Sequence, residues 1–155
     1  MSAQAVGTVV RAEGQAFAES AEGIRVLAVG SPIYMDDVLL TKADSRMEVQ
    51  FLDDTSITQG PDSRMLIDEY VYDPGSPEDS NMLINMSQGV FRSVTGKIVE
   101  DNPDALKVQT PLAIIGIRGT TWQDVIEGVR ADGSPGNENH GVLDLSGNHS
   151  VVFRD

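Results

Sequence analysis

Short runs of alternating polar and apolar residues recur along the whole chain. The clearest covers residues 46–52, in which Met47, Val49 and Phe51 alternate with polar side chains. Successive side chains of a strand point to opposite faces of a sheet, so this period of two predicts a half-buried strand. Residues 106–110 alternate in the same way.

Other segments carry weaker strand signals, and no stretch shows a helical period of useful length. The run 113–117 is continuously apolar, which predicts a strand buried on both faces. About ten to twelve short strands are predicted, with a turn roughly every ten residues. The sequence therefore indicates an all-β fold, β-solenoid-like or a sandwich or barrel, with little or no helix. No exact internal repeat is present, which argues against a propeller.

Glycine, proline and polar clusters divide these strands. Residues 72–81 form the longest loop of the first half, and Ser87-Gln88-Gly89 is predicted to end one strand before the next begins at Val90. We predict a β domain over residues 1–128 and a loop over 129–141. A terminal hairpin over 142–155 either packs on the same domain or starts a following segment.

Composition and charge exclude several classes of function. The 155 residues suffice for one domain with a real core. Twenty-four acidic residues against eleven basic ones give a net charge of −13, which opposes binding to nucleic acid and to anionic membranes. No run approaches the ~20 apolar residues of a membrane span, and the N-terminus lacks the basic and apolar regions of a signal peptide. Without cysteine, disulfides and zinc-thiolate sites are excluded.

Catalytic groups are scarce. The two histidines, His140 and His149, fall in turns rich in glycine and asparagine, and we interpret them as solvated loop residues. No Gly-x-Ser-x-Gly elbow and no phosphate-binding loop are present. Paired carboxylates could hydrolyse glycosides, but Trp122 is the only tryptophan available for sugar stacking. We therefore predict that the protein is not an enzyme.

The acidic pairs offer little for a metal. Asp36-Asp37, Asp53-Asp54 and Glu78-Asp79 lack the spacing of an EF-hand loop. Asp53-Asp54-Thr55 fits a hairpin turn better, because aspartate tolerates left-handed backbone and bonds its own main chain. No cofactor is predicted, with a weak Ca²⁺ site in the acidic loops as the alternative.

Arg118 is the most unusual charged residue, since it follows an apolar run. We expect it to be largely buried and therefore paired, with Asp37 or Asp36 as partner. Gly119 permits positive φ or a close backbone approach, and Thr120 can bond the main chain. This arrangement is interpreted as an internal pin, with an anion-binding arginine as the alternative.

These motifs, taken in order, resemble the FecR family. The resemblance runs from about Val6 to Ile126 and is strongest in residues 108–113 and 117–120. Asp36 and Asp54 stand where that family usually has glycine. The following residues match the family pattern and are the predicted site residues: Gly30, Asp37, Thr41, Phe51, Asp53, Gly60, Pro61, Thr110, Pro111, Arg118, Gly119 and Thr120.

The resemblance implies an all-β extracytoplasmic domain. In the regulators of the family such a domain lies in the periplasm and relays a signal from an outer-membrane receptor to a sigma factor. We expect a non-catalytic binding or scaffold module of a periplasmic or cell-surface bacterial protein, with a protein or envelope component as partner. The alternatives are the sensing part of a transmembrane anti-sigma-type regulator and a Ca²⁺-dependent or carbohydrate-binding module. Exposed strand edges would allow β-augmentation.

Overall fold

The computed structural model describes residues 4–119, 121–134, 136–142 and 150–154. Strands make up 57% of the structure and helices 6%, and one sheet curls into a half-barrel. The prediction of an all-β fold with little helix is confirmed.

Fourteen strands, one short α-helix and one 3-10 turn make up the described part of the chain. The strands are β1 Ala5–Glu13, β2 Ala16–Ser20, β3 Gly23–Val26, β4 Pro32–Tyr34, β5 Val38–Thr41, β6 Arg46–Phe51, β7 Ser56–Gln59, β8 Arg64–Val71, β9 Asn81–Val94, β10 Leu106–Gln109, β11 Ile114–Arg118, β12 Thr121–Ile126, β13 Glu138–Val142 and β14 Ser150–Arg154. The 3-10 turn is Pro77–Asp79 and the helix, α1, is Lys97–Asp101.

The strands form two layers that share β9. Layer A has the order β4-β1-β6-β7-β9-β12-β13, and layer B has the order β3-β2-β5-β8-β9-β10-β11-β14. Every described pairing is antiparallel except that between β9 and β10. Each layer turns one face to the core and the other to solvent, as antiparallel sheets commonly do.

The long strand β9 joins the layers by changing its phase. Met86 is buried in its first half and Phe91 in its second, and an odd interval of five breaks the period of two. The change occurs around Gly89, whose φ is +118° and whose missing Cβ would overlap Ser63. The prediction of two strands separated at residues 87–89 is therefore wrong, since the chain bends there without leaving the sheet.

The core consists of aliphatic, methionine and aromatic side chains from both layers. In β6, Met47, Val49 and Phe51 are buried, as their alternation predicts. The prediction for the apolar run 113–117 is wrong. Ile115 and Ile117 are buried, but the other β11 residues are only half-buried, because one face of layer B is open to solvent.

The C-terminal part differs from expectation. The predicted loop 129–141 contains the start of β13, which pairs with β12, whereas β14 pairs with β11 in the other layer. In the described part of the chain these two strands thus have different partners. Residues 143–149, which hold most of the predicted hairpin, lie outside the described residues. Pairing with β12 overrides the poor strand propensity of β13.

Candidate functional site

Asp37 is buried at the start of β5 and paired with Arg25. Arg25 Nη1 and Nη2 donate to Oδ1 and Oδ2 of Asp37 (3.1 and 2.8 Å), and the backbone N–H of Tyr34 donates to Oδ2 (2.8 Å). The guanidinium also lies 5.2 Å from the ring centroid of Tyr34. The hydrogen bond to Asp37 raises the pKa of Arg25. This pair fastens β3 to the turn before β5.

Arg118 lies elsewhere, and the expected buried pin to Asp37 or Asp36 is wrong. Its Nη2 donates to Oδ1 of Asp104 (2.6 Å), and the two side chains are 38% and 70% exposed. The cause is strand phase, since Arg118 is not on the core-facing side of β11. Gly119 has φ +65°, as its predicted role requires. Thr120 lies outside the described residues.

Asp53 is completely buried and ties the β6–β7 turn to α1. Tyr70 Oη donates to its Oδ1 (2.7 Å), while Thr55 Oγ1 and the Ile98 backbone N–H donate to its Oδ2 (2.5 and 3.0 Å). The Lys97 N–H donates to its main-chain carbonyl (2.7 Å). Burial and the hydrogen bond to Asp53 together raise the pKa of Tyr70. All of these donors are neutral.

The same turn shows why aspartate replaces glycine. Asp54 has φ +72°, which confirms the predicted hairpin turn, and Asp36 has φ +69°. These are the positions where the family usually has glycine, and aspartate is among the few side chains that tolerate this backbone. Lys97 lies 3.2 Å from Asp54, and its hydrogen bond lowers the pKa of that carboxyl. Nearby, the ring of Phe51 stacks on Tyr70 with centroids 5.4 Å apart.

Thr41, Gly60 and Pro61 support the bend of β9. Thr41 Oγ1 donates to the Gly60 carbonyl (2.6 Å) and accepts from the Ser63 N–H (3.2 Å). Ser63 Oγ in turn donates to the Pro61 carbonyl (3.1 Å) and accepts from the Val90 N–H (3.1 Å). The gly-pro-x-ser motif thus positions the hydroxyl that closes the bend beside Gly89.

Three further motif residues, Gly30, Thr110 and Pro111, lie in two turns. Gly30 has φ +94° and its N–H donates to the Val9 carbonyl (2.8 Å). In the β10–β11 turn, Thr110 Oγ1 accepts from the Ala113 N–H (3.0 Å) and donates to Glu138 (2.5 Å). Pro111 follows, with a ring that favours the φ required at the second position of a turn.

Glu138 belongs to a buried polar cluster that links this turn to β12. His140 Nδ1 lies 2.5 Å from Oδ1 of Asp124, and its Nε2 lies 2.9 Å from Oε1 of Glu138. Trp122 Nε1 also donates to Oδ1 of Asp124 (2.7 Å). Burial opposes the charge on His140, but hydrogen bonds to both carboxylates outweigh it and raise its pKa. The interpretation of His140 as a solvated loop residue is wrong, because its side chain is only 9% exposed.

This arrangement is poorly suited to catalysis. When His140 is protonated, both of its nitrogens donate to carboxylates, and the ring has no lone pair for a nucleophile or a metal. No group of three or more carboxylates and histidines that could hold a metal ion is found among the described residues. The cluster instead joins β12, β13 and the β10–β11 turn.

A family model with the description FecR protein matches residues 37–136, which is more than half of the chain. The chain belongs to the FecR family. The match includes every predicted site residue except Gly30, so the resemblance drawn from the motifs is confirmed at the level of the family. Searches of curated proteins and of solved structures gave no match.

The FecR motif residues are thus mostly occupied with internal contacts. Sequence reasoning missed several of their partners, among them Arg25, Tyr70, Glu138 and His140. The spacing of Glu138 and His140 places them on one face of a strand, but only the register that sets Asp124 opposite His140 connects them. Neither α1 nor the 3-10 turn in the described residues has the length or apolar character needed to span a membrane.

The outer face of layer B carries a group of apolar side chains at and beside β3. Val26 and Ile24 of β3 are 75% and 69% exposed. Phe17 lies between Val26 and Leu40 in the register of three adjacent strands. β3 ends the layer, and its outer edge has no strand partner among the described residues. We call this surface the β3 face, and its apolar side chains are Phe17, Ile24, Val26, Val38, Leu40 and Leu66. Glu19 lies between Ile24 and Val38 in the register, and Lys42 Nζ lies 5.9 Å from the ring centroid of Phe17.

Proposed function

We propose that this FecR domain is a non-catalytic binding module of the bacterial envelope. Its partner is an extended segment of a protein that pairs with β3 and covers the β3 face. FecR domains are generally the periplasmic sensing parts of transmembrane regulators, which supports a periplasmic or cell-surface location and a protein partner.

The observation that carries the proposal is the unprotected edge at β3. Natural sheets usually shield an edge strand by keeping it very short or with lysine, proline, a bulge or a covering segment, and among the described residues β3 has only its short length of four residues. In β3 the charged residue, Arg25, is turned toward buried Asp37, while Ile24 and Val26 are exposed. Exposed apolar patches of this kind mark interaction sites.

The anchoring of β3 also favours strand addition. The two hydrogen bonds from Arg25 to Asp37 hold the middle of the short strand against the body of the domain. An edge that is already in place loses little conformational freedom when a second strand pairs with it, so more of the interaction energy appears as affinity. In β-augmentation the main chain supplies affinity and alternate side chains supply specificity.

Signal relay is the second candidate, because sensing within a transmembrane regulator is the general role of the family. A scaffold and a relay domain would both use a protein-binding surface. The reading frame of the parent gene separates them, since the relay requires a transmembrane helix and cytoplasmic anti-sigma helices in the same protein.

The experiment is a selection of extended peptides from a displayed library on the wild-type domain. Val26→Lys then tests the face, and Val94→Lys, at a 44% exposed valine on layer A, is the matched control. We expect micromolar peptides with alternating apolar residues, about tenfold weaker on Val26→Lys and unchanged on Val94→Lys. Methylating alternate backbone nitrogens of the peptide should abolish binding. Equal affinity for both variants, or indifference to methylation, would refute strand addition at β3.

A further inference from the structure

A second surface, on the outer face of layer A, is polar and charged, in contrast to the apolar β3 face. A cavity of about 400 Å³ opens there. We call it the arginine groove, and its polar lining comprises Arg11, Arg46, Glu48, Thr58, Arg92 and Gln123. Its volume lies within the range of small-molecule sites, about 300–1,000 Å³.

The charge of the groove is opposed to that of the whole chain. Three of the eleven lysines and arginines line it, although the protein carries a net charge of −13. Its one carboxylate, Glu48, is already engaged, with Arg11 Nε at 3.7 Å and Ser56 Oγ at 2.9 Å. Neither Arg46 nor Arg92 has a carboxylate within 4.0 Å among the described residues. Two guanidinium groups therefore remain available.

Strand register places these two arginines across a shallow floor. Glu48, Thr58, Arg92 and Gln123 follow one another in a row over β6, β7, β9 and β12. Arg46 precedes Glu48 by two residues on the same face of β6. With strands about 4.8 Å apart and residues about 3.3 Å apart along a strand, the backbones of Arg46 and Arg92 are separated by roughly 12 Å diagonally across β7. Gly60, at the end of β7, has no side chain to fill the space between them.

We propose that the arginine groove binds a small dicarboxylate. Arg46 takes one carboxylate and Arg92 the other, because the planar fork of each guanidinium matches the two oxygens of one carboxylate. The Thr58 hydroxyl and the Gln123 amide are placed in the groove to donate to the same ligand. The arginine groove is separate from the β3 face, so this proposal does not depend on whether a protein segment binds at β3.

The test is titration of the whole chain with succinate, glutarate and adipate at low salt, followed by calorimetry and amide NMR. We expect saturable binding that moves the amide signals of Gly60, Arg92 and Gln123 and weakens as salt screens the charges. Arg46→Gln and Arg92→Gln should each lower the affinity about tenfold, and the double variant about a hundredfold. Arg64→Gln, at an exposed arginine of layer B, should leave it unchanged.

Three outcomes would overturn the proposal. Acetate binding as tightly as the best dicarboxylate would refute the two-arginine clamp. Phosphate binding more tightly than every dicarboxylate would refute the ligand class. Equal weakening by Arg64→Gln would reduce the effect to net charge. Thermal melts of each variant confirm that folding is intact, as expected for exposed arginines.

Discussion

The buried polar clusters and the exposed faces use charge in opposite ways. Asp37, Asp53 and Asp124 are each almost completely buried and are hydrogen-bonded to side chains of neighbouring elements. On the surface, Arg46 and Arg92 have no carboxylate partner among the described residues, and the side chain of Val26 is largely exposed to solvent. The comparison teaches that the family motifs mainly hold the fold together. The two surfaces proposed to bind ligands consist mostly of other residues, although Gly60 and Pro61 of the motifs line the arginine groove.

The largest effect on stability is expected at the bend of β9. Gly89→Ala adds a Cβ that overlaps Ser63 at φ +118°, and it should lower the free energy of unfolding by about 3 kcal/mol or more. Gly133→Ala is the control, because its φ is +86° but its Cβ meets open space. It should cost only about 1 kcal/mol. Urea denaturation measures both, and similar losses would show that overlap is unimportant.

Asp53→Ala is expected to cause the next largest loss in the free energy of unfolding. Removing this carboxylate leaves the Tyr70 hydroxyl and the Ile98 N–H without their acceptor in the core, which should cost about 3 kcal/mol. The surface carboxylate Asp104 provides the comparison, since Asp104→Ala breaks only an exposed ion pair and should cost about 0.5 kcal/mol. If the two substitutions were equally harmful in urea denaturation, the distinction between interior and surface would fail.

The two arginine pairs sharpen the same distinction. Arg25→Ala leaves the Asp37 carboxylate buried without its cation and should cost about 2 kcal/mol. Arg118→Ala should change the free energy of unfolding by less than about 0.5 kcal/mol, because both members of its pair are exposed. Thermal melts of the two variants measure this difference. A large drop in the melting temperature of Arg118→Ala would show that Arg118 is a structural pin after all.

The His140 cluster predicts a pH dependence. Because the folded-state pKa of His140 is raised above its ordinary value of 6.5, its contribution is fully present below that value. The contribution is lost as pH rises through the folded pKa. The melting temperature should therefore fall as the pH rises above about 6.5 in the wild type, and fall less in His140→Gln. Parallel curves for the two proteins would show that His140 is not the group responsible.

The smallest effect on stability is expected at the exposed faces. Val26→Lys and Arg46→Gln should each change the free energy of unfolding by no more than about 0.5 kcal/mol, since neither side chain is buried. Their effects should instead appear in peptide and dicarboxylate binding, respectively. If a variant lost binding together with several kcal/mol of stability, its side chain would contribute to folding as the buried residues do, and the loss of binding could not be assigned to the surface.

Local patterns predicted much of the fold. The alternation in β6 and the hairpin turn at Asp53-Asp54-Thr55 could be identified because both depend on residues close together in the chain. The positive φ of Gly119 could be anticipated for the same reason. The partners of the charged residues could not. Arg25 and Asp37, or His140 and Asp124, meet only after the register of β3, β5, β12 and β13 is established.

The all-β class could be predicted from the sequence alone, as could the FecR family through the order of the motifs. The class follows from the period of side chains along a strand and from the few residues that tight turns accept. The family follows from the resemblance of the motifs, which the family model matches. The bend of β9 between two layers, the exposure of Arg118 and the burial of His140 between two carboxylates depend on the three-dimensional fold. These outcomes depend on which strands lie side by side. A shift of one residue in register exchanges the buried and exposed faces of a strand.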